Sequence, residues 1–219
     1  MRLYLDIETA PTSRPEVIEY LTGKIEPPSN YKSEEAIEKW WATKGAEKTK
    51  EVVTKTALNP AFGKVIAIGV ADSESGWELI AAGDEYDVLE EFYSEIFAGE
   101  KVRPTFAGFN IFGFDLPFLY RRAIILGHTM LALRLAPYVT RWYNNAEHVV
   151  DWMLEWTLGR YGEHISMREL ALALGIEGVD MNESGAEVPE MYEKGDFDGI
   201  VEHLKRDLAL LAEIDKRWL

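Results

Sequence analysis

The sequence predicts an α/β protein: a mixed five-stranded sheet flanked by helices, with a helical insertion between strands 1 and 2. Three observations carry this expectation. Short apolar runs with strand character come first and then alternate with segments of helical periodicity. Hydrophobic residues make up 47% of the 219, enough for a sizeable core, and the length suits a single domain over residues 1–219. The stretch from Pro11 to Leu58 separates the first two strands and is too long for a hairpin loop, so residues 11–58 read as the helical insertion.

The elements follow in order. Leu3 to Ile7 is a strand. "PTSRPEVIEYLTGKIEPPSN" is punctuated by proline and leaves room for one short helix. Ser33 caps a helix from Glu34 to about Thr56, because "SEEAIEKWWATKGAEKTKEVV" carries apolar residues at helical spacing. Pro60 and Gly63 break the chain before a strand from Val65 to Ala71, and "GWELIAA" is its hairpin partner. Asp84 to Phe97 is an amphipathic helix, "RPTFAGFN" a short strand, and "DLPFLYRRAIIL" a helix that tolerates Pro117 in its first turn. His148 to Trp152 is a strand. "SMRELALAL" is a helix capped by Ser166 and ended by Gly175. Asp198 to Trp218 is a long final helix.

Composition excludes several classes of function. There is no cysteine, so disulfides and thiolate metal sites are ruled out. No apolar run is long enough to span a bilayer, and Asp6 and Glu8 interrupt any leader-like pattern, so a soluble, cytoplasmic protein with no membrane partner is expected. The formal charge is −15, which repels nucleic acid on average. A nucleic-acid partner then requires a local basic strip, or cations that offset the acids.

Three short stretches carry candidate chemistry. In "RLYLDIET", Asp6 and Glu8 sit two apart on a strand and face the same side. Like charges so placed are unfavourable unless a cation or proton holds them; the plain alternative is two solvated acids at a strand end. In "FAGFNIFGFDLPF", Asn110 closes a strand and Asp115 opens a helix, where a carboxylate is favoured by the helix dipole; alone, this is an ordinary helix start. In "VEHLKRDLALL", His203 and Asp207 are four apart and share a helical face beside the stripe of Leu204, Leu208 and Leu211. An Asp beside that stripe is costly to bury unless it is paired or metal-bound, and a solvent-facing His–Asp pair is the alternative.

Taken together, "LDIET", "FNIFGFD" and "HLKRD" stand in the order of the three exonuclease motifs. The chain resembles the ribonuclease H-like, DEDD-type (DnaQ-like) 3′–5′ exonucleases, and is most similar to the predicted exonucleases related to the proofreading domain of family B DNA polymerases. "ALNPAFGKVIAIGVA", "HVVDWM" and "ISMRELALALGI" also resemble the segments between those motifs. The resemblance implies that Asp6, Glu8, Asp115 and Asp207 hold two divalent cations. Asp6, Glu8 and Asp207 would bind the ion that activates water. Asp6 would bridge to the second ion, with Asp115 acting directly or through water. Asn110 matches the motif-two asparagine near the scissile end. One position departs from the pattern: a histidine, His203, occupies the spacing at which the polymerase-related branch has a tyrosine. Histidine as a residue type titrates near neutrality, so it can orient or deprotonate the attacking water.

Oxygen ligands select hard ions such as Mg²⁺ or Mn²⁺, and two ions roughly 4 Å apart stabilise both the attacking and the leaving oxygen of a phosphodiester. No serine or cysteine nucleophile motif and no P-loop is present. The expected activity is therefore hydrolysis at DNA 3′ ends, single strands preferred, releasing nucleoside 5′-monophosphates. An exoribonuclease of the same fold, or a catalytically silent nucleic-acid or polymerase-binding module, is the rival. No polymerase domain fits this length, so any proofreading would serve a separate polymerase in trans. Lys205 and Arg206 flank the last motif, and Arg121 and Arg122 follow the second; with Asn110 and Phe114 they are the candidate nucleic-acid contacts, although a solvated helix face is the ordinary reading of such charges. Phe106, Phe109, Phe112, Phe114 and Phe118 otherwise read as core. Trp40 and Trp41, followed by Lys44, Lys48 and Lys50, suit a lid over a single strand or, as favoured here, a helix packed on the sheet. Asp151 in "HVVDWM" reads as structural.

Overall fold

The first strand, β1 (Arg2–Ala10), alternates as its pleat dictates. Leu3, Leu5 and Ile7 point to one face, and Tyr4, Asp6 and Glu8 to the other. A computed structural model describes residues 2–99, 103–139, 148–160, 162–182 and 185–218 of the chain. In it β1 is the central strand of a five-stranded sheet, flanked by β2 (Lys64–Asp72), β3 (Glu78–Ala82), β4 (Thr105–Gly108) and β5 (Val149–Asp151) in the order β3-β2-β1-β4-β5. The β1–β2 and β2–β3 pairs are antiparallel; β1–β4 and β4–β5 are parallel, so the sheet is mixed.

Two details of the register position the site. β4 pairs with β1 only along Arg2–Tyr4, so the later half of β1 has no strand on that side. The β1–β2 ladder also shifts between Glu8 and Thr9, the kind of irregularity that re-aims a strand end near active sites.

Helices cover both faces. Leu3, Leu5, Ile7, Ile68, Val70 and Phe106 pack beneath α4 (Glu85–Ile96), α5 (Asp115–Ile125) and α6 (Thr129–Val139). The opposite face carries α10 (Phe197–Trp218), whose stripe Ile200, Leu204, Leu208, Leu211 and Ile214 is buried. Beside it lie α7 (Trp152–Thr157), α8 (Met167–Ala173) and α9 (Val188–Lys194). No helix among the described residues is long and apolar enough to cross a membrane.

Between β1 and β2 the chain is helical: α1 (Pro15–Thr22), α2 (Glu34–Trp40), a π-turn (Trp41–Gly45), α3 (Ala46–Thr54) and a 3-10 turn (Lys55–Leu58). The helix expected as one piece is thus interrupted. The interruption needs Gly45, because a Cβ there would fall 2.5 Å from the Trp41 ring. The expected packing of this helix on the sheet is corrected. α3 buries no residue and lies against α1, and it is the 3-10 turn that touches β1. Trp40 is buried against Tyr31 and Trp41 instead. The strand expected over His148 to Trp152 also stops early. Asp151 caps a helix by accepting from the backbone N–H groups of Met153 and Leu154, and Trp152 is already helical.

Candidate active site

The open half of β1 is where the site forms. The Ile7 N–H has no β4 partner and instead donates to Asp115 Oδ1 at 3.2 Å. That bond ties the start of α5 to the central strand and leaves Asp115 3% exposed. Asp6 and Glu8 face α10 from the same strand. Asp6 pairs in register with Gly69 of β2, and a Cβ on Gly69 would lie 2.9 Å from Leu208 Cδ1. The glycine lets α10 lie close, and its buried face brings in His203 and Asp207, one turn apart. His203 Nε2 is 3.4 Å from Glu8 Oε1 and 3.6 Å from Asp207 Oδ2. Ligand atoms of Glu8, His203 and Asp207 all lie within 4.8 Å of one another.

The electrostatics show that the acids share one field. Burial, and then repulsion by Asp207, push the Asp6 carboxyl up to about 8. Burial again leads at Glu8, followed by Asp6, Asp207 and Asp115, and holds it well above the ordinary carboxylate range. Asp115 is raised likewise, by burial first and Asp6 second. Carboxylates crowded in this way are stable as anions only with positive charge among them. Two carboxylates within ligand distance, with two further acids alongside, fit a hard divalent cation. Glu8 and Asp207 would supply its first ligands, Asp6 and Asp115 would share the charge, and His203 stands beside them.

Two neighbours organise the site. Asp151, 3% exposed, accepts from the backbone N–H groups of Asn110 and Phe112 at 3.0 Å each, as well as capping α7. It therefore shapes the loop that leads to Asp115. Arg168, at the start of α8, donates to Asp207 Oδ1 at 2.9 Å. Arg168 was not among the residues singled out from sequence. Its one signal is local: the capping box of Ser166 and Glu169 begins the helix and places a charged residue in its first turn.

The other candidates are dispersed. Asn110, in a left-handed conformation (φ 57), lies against Gly113 and lines an open groove of about 780 Å³ with Phe112, Leu154 and Asp151. Arg206 borders a depression that also contains Asp207 and Arg168. Lys205 pairs with Glu202 and lines a different groove, with Tyr4 and Asp215. Phe114 is half-buried, with its ring 5.3 Å from Phe118, and belongs to the core margin. Arg121 lies on the outer side of α5 beside Asn59 and Pro60, in a depression that contains none of the acids. The expectation for Arg122 is corrected: it is buried, pairs bidentately with Glu85 at 2.8 and 2.7 Å, and donates to the Pro60 carbonyl, so it does not face a strand of nucleic acid.

A mixed sheet with an antiparallel meander on one side and parallel strands on the other, and acids on the central strand facing a late helix, is a ribonuclease H-like α/β fold. Within that class, the chain belongs to the predicted 3′–5′ exonucleases related to the exonuclease domain of PolB, whose family pattern matches residues 55–210. The match contains Asp115, His203 and Asp207 and begins downstream of Asp6 and Glu8, which the fold carries back to them. The chain is also 30% identical over 173 residues to an uncharacterised protein of Methanocaldococcus jannaschii, covering 75% of this chain and 90% of that relative.

Proposed function

We propose that the protein is a metal-dependent 3′–5′ exonuclease that hydrolyses the terminal phosphodiester of DNA, single strands preferred, and releases nucleoside 5′-monophosphates. The observation that carries this reading is the convergence of Glu8, His203 and Asp207 beside Asp6 and Asp115. Two cations, Mg²⁺ or Mn²⁺, held by these acids would neutralise charge at the attacking and leaving oxygens. The residues of the chain do the rest. His203 orients the attacking water and takes its proton. The water oxygen bonds to phosphorus as the bond to the preceding nucleotide's 3′ oxygen breaks, and that oxygen leaves with a proton. Asn110, on the loop that leads to Asp115, and Arg206, beside Asp207, would hold the strand end.

A 3′-labelled single strand incubated with the protein and Mn²⁺ tests the reading. Label is expected as mononucleotide, with loss of at least a hundredfold in Asp6→Ala and in Asp207→Ala. Undiminished cleavage in either variant would remove this site from consideration. Parallel RNA and duplex DNA substrates separate the exoribonuclease, and no cleavage of any substrate separates the silent module.

A further inference from the structure

Asp207 faces neighbours of unlike kind. Its Oδ2 faces His203 and, through it, Glu8. Its Oδ1 accepts from the Arg168 guanidinium at 2.9 Å. Arg168 is largely buried there, its side chain 14% exposed, so this is no surface ion pair. A guanidinium is charged at every working pH and is a strong, geometrically defined partner for a carboxylate. Arg168 further lines the solvent-open depression of about 260 Å³ beside Asp207, which gives its side chain a way out.

We propose that Arg168 is the resident counter-ion of the acidic pocket, holding Asp207 while cations are absent and yielding that hold when a divalent cation binds. The inference rests on the cation-site reading above and adds a competitor to it. Arg168 is a positioning residue in this scheme: it keeps the emptied pocket folded and sets the cation concentration at which the pocket fills. A charge of the same sign a few ångströms from a cation site weakens cation binding. Removing that charge must therefore strengthen it. A residue that only propped Asp207 in place would do the opposite on removal.

Calorimetric titration of the full chain with Mn²⁺ tests this, without reference to cleavage. Arg168→Gln, which keeps side-chain donors and loses the charge, is expected to bind Mn²⁺ on the order of tenfold more tightly than the wild type. Arg168→Lys, which keeps the charge, is expected to stay near the wild-type value. Thermal melts in chelator should show Arg168→Gln less stable than wild type, with the gap closing at saturating Mn²⁺. Equal or weaker Mn²⁺ binding by Arg168→Gln, with the wild type binding normally, overturns the counter-ion role and leaves the nuclease reading standing. No Mn²⁺ binding by the wild type overturns both.

Discussion

Asp6 gives the most direct pH signature. Its carboxyl titrates at about 8 in the cation-free fold, against an ordinary value of 3.8. Between those limits the folded state holds a proton that the unfolded chain has released, so the contribution of Asp6 to stability falls as pH rises from about 4 to 8. Melting temperatures in chelator are expected to show that descent for wild type and a shallower one for Asp6→Asn; equal slopes would mean that Asp6 is not the group responsible. His203 carries a separate expectation. His203→Ala should lower turnover by about 10²–10⁴, while calorimetric Mn²⁺ binding by the remaining carboxylates persists. An unchanged rate from pH 6 to 9 would show that the water needs nothing from this imidazole. At this scale the sequence was informative where spacing had a geometric meaning. Asp6 and Glu8 share a face because strands repeat every two residues, and His203 and Asp207 because helices repeat nearly every four. Arg168 offered no such spacing. Its partner Asp207 lies on another helix, and only tertiary packing joins them.

The elements divide in the same way. β1, α4, α5, α8 and α10 were legible, because each has strong periodicity or a cap written in adjacent residues, such as Asp84 for α4 and Ser166 for α8. α6 was not foreseen. It contains Pro137, and a proline at that place removes a helical hydrogen bond, which argues against a helix interior. The π-turn at Trp41–Gly45 was equally invisible, since its cause is one ring against one missing Cβ. Arg122 shows how a helix face can mislead. Its position after Asp115 suggested a phosphate contact, whereas α4 supplies Glu85 from across the packing interface. Arg122→Leu is expected to cost about 3–5 kcal/mol in chemical denaturation, because it takes the counter-charge from the largely covered Glu85 carboxylate. The same variant, folded at low temperature, should keep wild-type affinity for single-stranded DNA; a clear loss would return Arg122 to the substrate surface.

For the molecule as a whole, the net charge of −15 and the buried acids place folding and function under one control. A cation that binds only the folded chain stabilises it by mass action, about 2.7 kcal/mol at a concentration one hundred times its dissociation constant. Raising Mn²⁺ in a thermal-shift series should therefore raise the melting temperature of wild type progressively, and leave an Asp6→Asn, Asp207→Asn double variant almost unmoved. A parallel rise in both proteins would place the stabilising ions elsewhere on this acidic surface.

The central place of β1 has a consequence for the order of folding. This strand and α10 lie far apart in the sequence, yet the pocket needs both. The acids therefore come together only once the sheet and α10 have packed, and a partly folded chain carries them apart.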